Sequence, residues 1–131
     1  MRILVLVLLL AMAVAIGQPW LGNPANAVEG ERSAGRKIFK QCRNCHSVRA
    51  GKFATFGPNL YRVVGRQAGT APQHDYSPAL AAAGFIWTPE RLGRWLADPE
   101  AFVPSAKMKF RLKSAQARAD VIAYLIAAGK R

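Results

Sequence analysis

The sequence predicts a small all-α domain, short helices joined by long loops, and three observations predict it. Glycine and proline are frequent, 11 and 8 among 131 residues, and no strand-like alternation runs for more than a few positions. Helix-opening signals recur at Ser77-Pro78, at Thr88-Pro89 and at Ser114. The third observation is the run Cys42-Arg43-Asn44-Cys45-His46, two thiols and an imidazole within five residues. A domain of this size has a thin core of its own. A large apolar group held by that run would give its side chains something to pack on.

The spacing C-x-x-C-H is the attachment signature of a c-type haem. On a helical turn the two thiols lie close together and can form thioethers with two vinyl groups of one porphyrin edge. The histidine is then carried under the iron as its proximal ligand. Three other readings compete. A thioredoxin-like redox pair sits beside a βαβ pattern, and none is visible. A zinc site wants four ligands, and beyond these three only His74 and seven carboxylates remain. A disulfide would close a very small and strained loop.

Residues 1–27 read as a cleavable secretory signal. Arg2 is the positive start, Ile3 to Ile16 is an unbroken apolar run, and Ala25-Asn26-Ala27 is a small-x-small cleavage site. The apolar run is short for a membrane anchor, the competing reading. Cleavage after Ala27 leaves residues 28–131 as one domain. Losing Arg2 leaves 18 of the 19 lysines and arginines against 7 acids, a formal +11 instead of +12. Export weakens the case for nucleic acid and favours acidic protein faces as partners.

A first helix is expected from about Gly30 to Cys45, with Gly35, Phe39 and Cys42 on one stripe. Glycine is costly inside a helix, so Gly35 predicts a second helix crossing at its backbone. Residues 47–76 are broken by Gly51, Gly57, Pro58, Gly65, Gly69 and Pro72. So long a loop makes sense if it wraps a bound group and packs on that instead of on other elements. Within it, the Pro58 carbonyl is placed to accept the His46 imidazole N–H and fix its tautomer.

Ser77-Pro78 opens a short helix closed by Gly84. Thr88-Pro89 opens another, ended by Asp98-Pro99, with Leu92, Trp95 and Leu96 on one face. Met108 follows in the extended, polar run Pro104 to Phe110. Met1 and Met12 belong to the signal, so Met108 is the one methionine left to the domain. Its thioether suits a second, soft axial ligand to haem iron. The last helix starts after Ser114 and ends before Gly129, with Ala117, Val121, Tyr124, Leu125 and Ala128 as its apolar stripe. That stripe is expected to meet Gly35 and Phe39 through Tyr124 or Leu125.

Taken together, residues from Gly35 to Leu125 resemble a class I cytochrome c of the mitochondrial and bacterial cytochrome c2 type. Gly35-Arg36-Lys37-Ile38-Phe39, the C-x-x-C-H run, Gly57-Pro58-Asn59-Leu60 and Gly65-Arg66 carry the likeness. So do Tyr76, Trp87, Lys107-Met108 and Ile122-Ala123-Tyr124-Leu125. The resemblance implies a cytochrome c fold around one haem c held by Cys42 and Cys45, with His46 and Met108 on the iron. It implies that Arg66, Tyr76 and Trp87 neutralise or hydrogen-bond a haem propionate, and that Phe110 lies beside the haem edge. The chain departs from the pattern at Trp95, where a tyrosine is common, at Ala106 and at Leu80. These departures are expected to thin the polar network around the methionine. Glu100 interrupts a region that is often lysine-rich.

The expected function is a soluble, periplasmic one-electron carrier and not an enzyme, with Lys107, Lys109, Lys40 and Lys52 ringing the haem edge. Its expected partners are acidic docking faces of redox proteins. By family analogy these are a cytochrome bc1 complex as donor, and a terminal oxidase or photosynthetic reaction centre as acceptor. Contact with those membrane complexes is peripheral, and the carrier is a monomer. The alternative is a haem enzyme, a weak peroxidase or gas binder acting after Met108 dissociates. Bis-histidine ligation through His74 is a third reading.

Overall fold

The structure, a computed structural model, describes residues 29–54 and 56–130. The expected signal and its cleavage site lie outside the described residues. The described residues form five α-helices: α1 (Arg32–Ile38), α2 (Pro78–Ala81), α3 (Pro89–Ala97), α4 (Pro99–Phe102) and α5 (Ala115–Ala128). Among the described residues there is no strand, only an isolated antiparallel bridge between Gln67 and Ile86. The all-α expectation holds.

Helix α1 is shorter than the sequence suggests. It ends at Ile38, and a 3-10 turn, Phe39–Gln41, leads into the cysteines. The tightening is visible in the bonds: Cys42 N donates to Phe39 O at 2.9 Å, a three-residue step. Glu31 opens α1, its carboxylate accepting from the Ser33 and Ala34 amides. Helix α5 runs between the caps the sequence marks, with Ser114 Oγ accepting from Ala117 N at 3.2 Å and Gly129 at the far end.

These two helices from opposite ends of the chain cross at Gly35. A Cβ there would lie 1.9 Å from Asp120 O and 2.9 Å from the Tyr124 Cβ, so only glycine permits the approach. The Phe39 and Tyr124 rings follow at 5.2 Å. Gly30 makes a second approach of the same kind, its would-be Cβ 2.0 Å from Ala119 O. Asp120 is buried in this crossing and accepts Glu31 N at 2.7 Å and Gln116 Nε2 at 2.9 Å. A buried carboxylate is tolerated because both donors are in place.

One apolar core joins the elements: Leu92, Trp95 and Leu96 of α3 meet Val121, Ile122 and Leu125 of α5, with Phe39, Trp87 and Ala106 in the same cluster. Asp98 ends α3 as expected, but its side chain also caps α4, accepting from Ala101 N at 3.1 Å. The loop 47–76 is less independent than its composition suggests. Gly65 N bonds Trp87 O, Trp87 N bonds Arg66 O and Ala68 N bonds Phe85 O, each at 2.8 Å. It is hydrogen-bonded to residues 85–87.

Candidate haem site

The cysteine run forms two tight turns after the 3-10 segment. Cys45 N and His46 N both donate to Cys42 O, at 3.1 and 2.9 Å. Both cysteines are free thiols, Cys42 half-buried and Cys45 exposed. Burial, and then the neighbouring Cys45, push the Cys42 thiol up to about 11, so it stays protonated at neutral pH. Among the described residues no cluster of three or more His, Cys, Asp or Glu side chains could hold a metal ion, which disfavours the zinc reading.

His46 lies where the sequence places it. Its Nδ1 is 2.8 Å from Pro58 O. A carbonyl can only accept, so Nδ1 carries the proton and Nε2 keeps the lone pair that a metal needs. Burial lowers the imidazole pKa, the Pro58 bond opposes this, and nearby His74 lowers it further. The neutral, ligating form is the favoured one. Gly57 closes against the ring: a Cβ there would fall 2.4 Å from His46 Cε1. Gly57 N in turn donates to Cys45 O at 2.9 Å, which ties the loop to the cysteine turn.

Met108 is half-buried against the core. The Trp95 indole donates its Nε1–H to Met108 Sδ at 3.3 Å. This corrects the expectation that Trp95 thins the polar network at the methionine: an indole N–H can donate to sulfur just as a phenol can. The other two departures, Ala106 and Leu80, are both buried apolar residues. Glu100 also gains a role, because its carboxylate accepts Ser105 N and Lys109 Nζ, at 2.8 and 2.9 Å, and so braces the turn before Met108.

Arg66, Tyr76 and Trp87 come together. The Arg66 guanidinium bonds Asn59 O at 2.9 Å and Tyr61 O at 3.2 Å, and it interacts electrostatically with the Tyr76 phenol. Trp87 N reaches Arg66 O, while the Trp87 ring is buried edge-on to Phe85 at 4.8 Å and to Trp95 at 5.6 Å. His74 lies edge-on to Tyr76 at 4.6 Å. A cavity of about 240 Å³ opens here, lined by Pro58, Asn59, Arg66 and His74 among others.

These residues fit a c-type haem. Two thiols are unpaired, one imidazole presents Nε2, one thioether is fixed by an indole, and aromatic rings and a guanidinium stand nearby. Sequence reasoning missed Asn59, whose side chain ties the loop to Arg49 O and Lys52 O, and the cap at Glu31. Gly57-Pro58-Asn59 was the signal for the first; nothing local marks the second, since glutamate is an uncommon cap.

A helical domain with these groups defines a class: small proteins that hold one haem c covalently and pass single electrons. The comparisons agree. The family model for cytochrome c matches residues 33–128. A cytochrome c2 of Rhodomicrobium vannielii is 42% identical over 111 residues, covering 84% of this chain and 89% of that one. A cytochrome c2 of Rhodopseudomonas palustris is 43% identical over 112 residues, covering 72% and 96%. A cytochrome c type-1 of Ascaris suum is 42% identical over 99 residues, covering 74% and 88%. The solved structure of cytochrome c2 from Rhodospirillum centenum superposes with a TM-score of 0.72 at 39% identity, covering 75% of this chain and 98% of that one. The chain belongs to the cytochrome c family, and with it goes haem c, bound through thioethers, and an electron-carrying role.

Proposed function

We propose that residues 28–131 are an exported, monomeric electron carrier of the periplasm, freed by cleavage after Ala27. In this reading Cys42 and Cys45 would hold the haem, and His46 and Met108 would ligate its iron. Arg66, Tyr76 and Trp87 attend its propionates. When bound, the haem supplies a one-electron Fe(II)/Fe(III) couple. The protein's part would be to hold the His46 imidazole and the Met108 thioether firmly, which would leave no open site for a substrate. Among the described residues no helix is long and apolar enough to cross a membrane.

The observation that carries this reading is the pairing of His46 with Pro58, closed over by Gly57. It holds one tautomer and one ring orientation in a buried setting. Trp95 does the same for the sulfur of Met108. The partners proposed are acidic docking faces on a cytochrome bc1 complex, a terminal oxidase or a reaction centre. Lys107 and Lys109 are each paired with a carboxylate, Asp75 at 2.6 Å and Glu100 at 2.9 Å. Lys40 and Lys52 are exposed and carry no such pair among the described residues, so they are the stronger docking candidates of the four expected.

The test is Met108→Ala in the mature haem protein. The sulfur-to-iron charge-transfer band of the oxidised wild type should vanish, and the variant should take up added cyanide or imidazole far faster. A wild type that lacks the band, or a variant with an unchanged spectrum, would remove Met108 from the site. A wild type that turns over peroxide as fast as the variant would favour the haem-enzyme reading.

A further inference from the structure

A second concavity, about 390 Å³, lies where the α1–α5 crossing meets the chain after His46. None of the proposed haem ligands lines it. Its walls are Arg36 of α1, Val48 and Arg49 of the loop, Tyr61, and Tyr124 and Ala128 of α5. Neither the Arg36 nor the Arg49 guanidinium has a hydrogen bond or ion pair among the described residues. No carboxylate lines the cavity. Five of the chain's seven acids are engaged elsewhere: Glu31 and Asp120 at the start of α1, and Asp75, Asp98 and Glu100 with Lys107, Arg111 and Lys109.

Unpaired surface arginines are ordinarily just solvated. Here hydrogen bonds and a close helix crossing fix the backbone around them. Asn59 Nδ2 donates to Arg49 O at 2.7 Å, and Arg49 N donates to Ser47 Oγ at 3.2 Å. Arg62 Nε holds the end of α5 through Gly129 O at 3.2 Å. Arg36 follows Gly35, which is locked against Asp120. The backbone of the cleft is therefore preorganised, and only the two guanidinium side chains have to order when it binds. Planar guanidinium forks match the oxygens of a phosphate. Tyr61, with the Arg62 guanidinium 5.3 Å from its ring centre, and Tyr124, tilted against Phe39 at 5.2 Å, add aromatic surface.

We infer that this cleft binds a small phosphate-bearing anion, its phosphate engaged by Arg36 and Arg49 and the remainder lying along Tyr61 and Tyr124. The site does not depend on the ligation of the haem iron.

The test is an NMR titration of the mature haem protein with pyrophosphate at constant ionic strength. Saturable shifts are expected at residues 36, 48–50, 61, 124 and 128. Arg36→Gln and Arg49→Gln should each weaken binding about tenfold, the effect of one charge-assisted contact. Lys113→Gln, at the other end of α5, should leave it unchanged. Both arginines are exposed, so wild-type melting is expected of the variants. Shifts spread over the whole basic surface, weakened no more by the arginine variants than by Lys113→Gln, would overturn the inference. Sedimentation with phosphatidylglycerol vesicles separates two sources of phosphate. Vesicle binding lost in both arginine variants makes a lipid headgroup the ligand; vesicle binding indifferent to them leaves the soluble anion.

Discussion

The Trp95 indole and the Met108 sulfur are 13 positions apart in the chain and 3.3 Å apart in space. A hydrogen bond to a thioether draws electron density from the sulfur and weakens its donation to a bound metal. Trp95→Phe removes the donor and keeps an aromatic ring. The midpoint potential should fall by up to about 40 mV, the one-electron equivalent of ~1 kcal/mol for a hydrogen bond. Redox titration measures this, and an unchanged potential would mean that the indole does not act on the sulfur. This contact was not legible in the sequence, where a tryptophan in a tyrosine's place reads as a lost donor. The His46–Pro58 pair was legible, because an imidazole ligand needs a carbonyl partner and the Gly-Pro turn supplies one. The propionate role proposed for Arg66, Tyr76 and Trp87 comes only from family likeness. No spacing in the chain links them: the ladder between 65–68 and 85–87 brings Arg66 to Trp87, while Tyr76, whose phenol oxygen accepts Ala71 N at 3.2 Å, reaches Arg66 electrostatically.

At the scale of elements, the glycine at the α1–α5 crossing carries the strongest constraint. Gly35→Val places side-chain atoms where Asp120 O and the Tyr124 Cβ already stand, so the helices must separate. The cost should be about 3 kcal/mol, the upper range for overpacking, read by denaturant unfolding. An unchanged midpoint would mean that the helices do not cross there. Glu31, which caps α1, makes that helix acid-sensitive. Hydrogen bonds from the Ser33 side chain first, then from the Ser33 and Ala34 amides, hold its carboxyl down to about 2 from 4.5. A depressed folded pKa means stability present above pH 4.5 and lost as pH falls from there towards 2. The lead in melting temperature of the wild type over Glu31→Gln should therefore shrink across that window. A lead independent of pH would contradict the cap. Helix starts were legible wherever serine or threonine preceded proline or a periodic run. Asp98-Pro99 bears the same signature, yet it was read only as a stop, because one residue serves both as the end of α3 and as the cap of α4. Gly35 pointed to the crossing, but the buried Asp120 did not announce itself, since a lone acid in an apolar stripe looks like a surface position.

At the scale of the molecule, the long loop made sense only once something had to be enclosed. Its glycines and prolines gave no element to predict, and its own ladder to residues 85–87 is held by backbone groups that carry no side-chain signal. The charge excess was legible as a sum but not as a pattern. Among the described residues, Lys107, Lys109 and Arg111 are paired with acids on the Met108 side, and Arg36, Arg49, Lys40 and Lys52 have no ion pair. The proposed electron-carrying role rests on a porphyrin held by Cys42 and Cys45. The most direct measurement is the intact mass, in denaturing acid, of the protein exported from cells that mature c-type cytochromes. The expected mass is that of residues 28–131 plus one haem, falling to the bare polypeptide in the Cys42→Ser, Cys45→Ser variant. A wild-type mass equal to the polypeptide alone, or to the polypeptide less two hydrogens for a disulfide, would contradict the account.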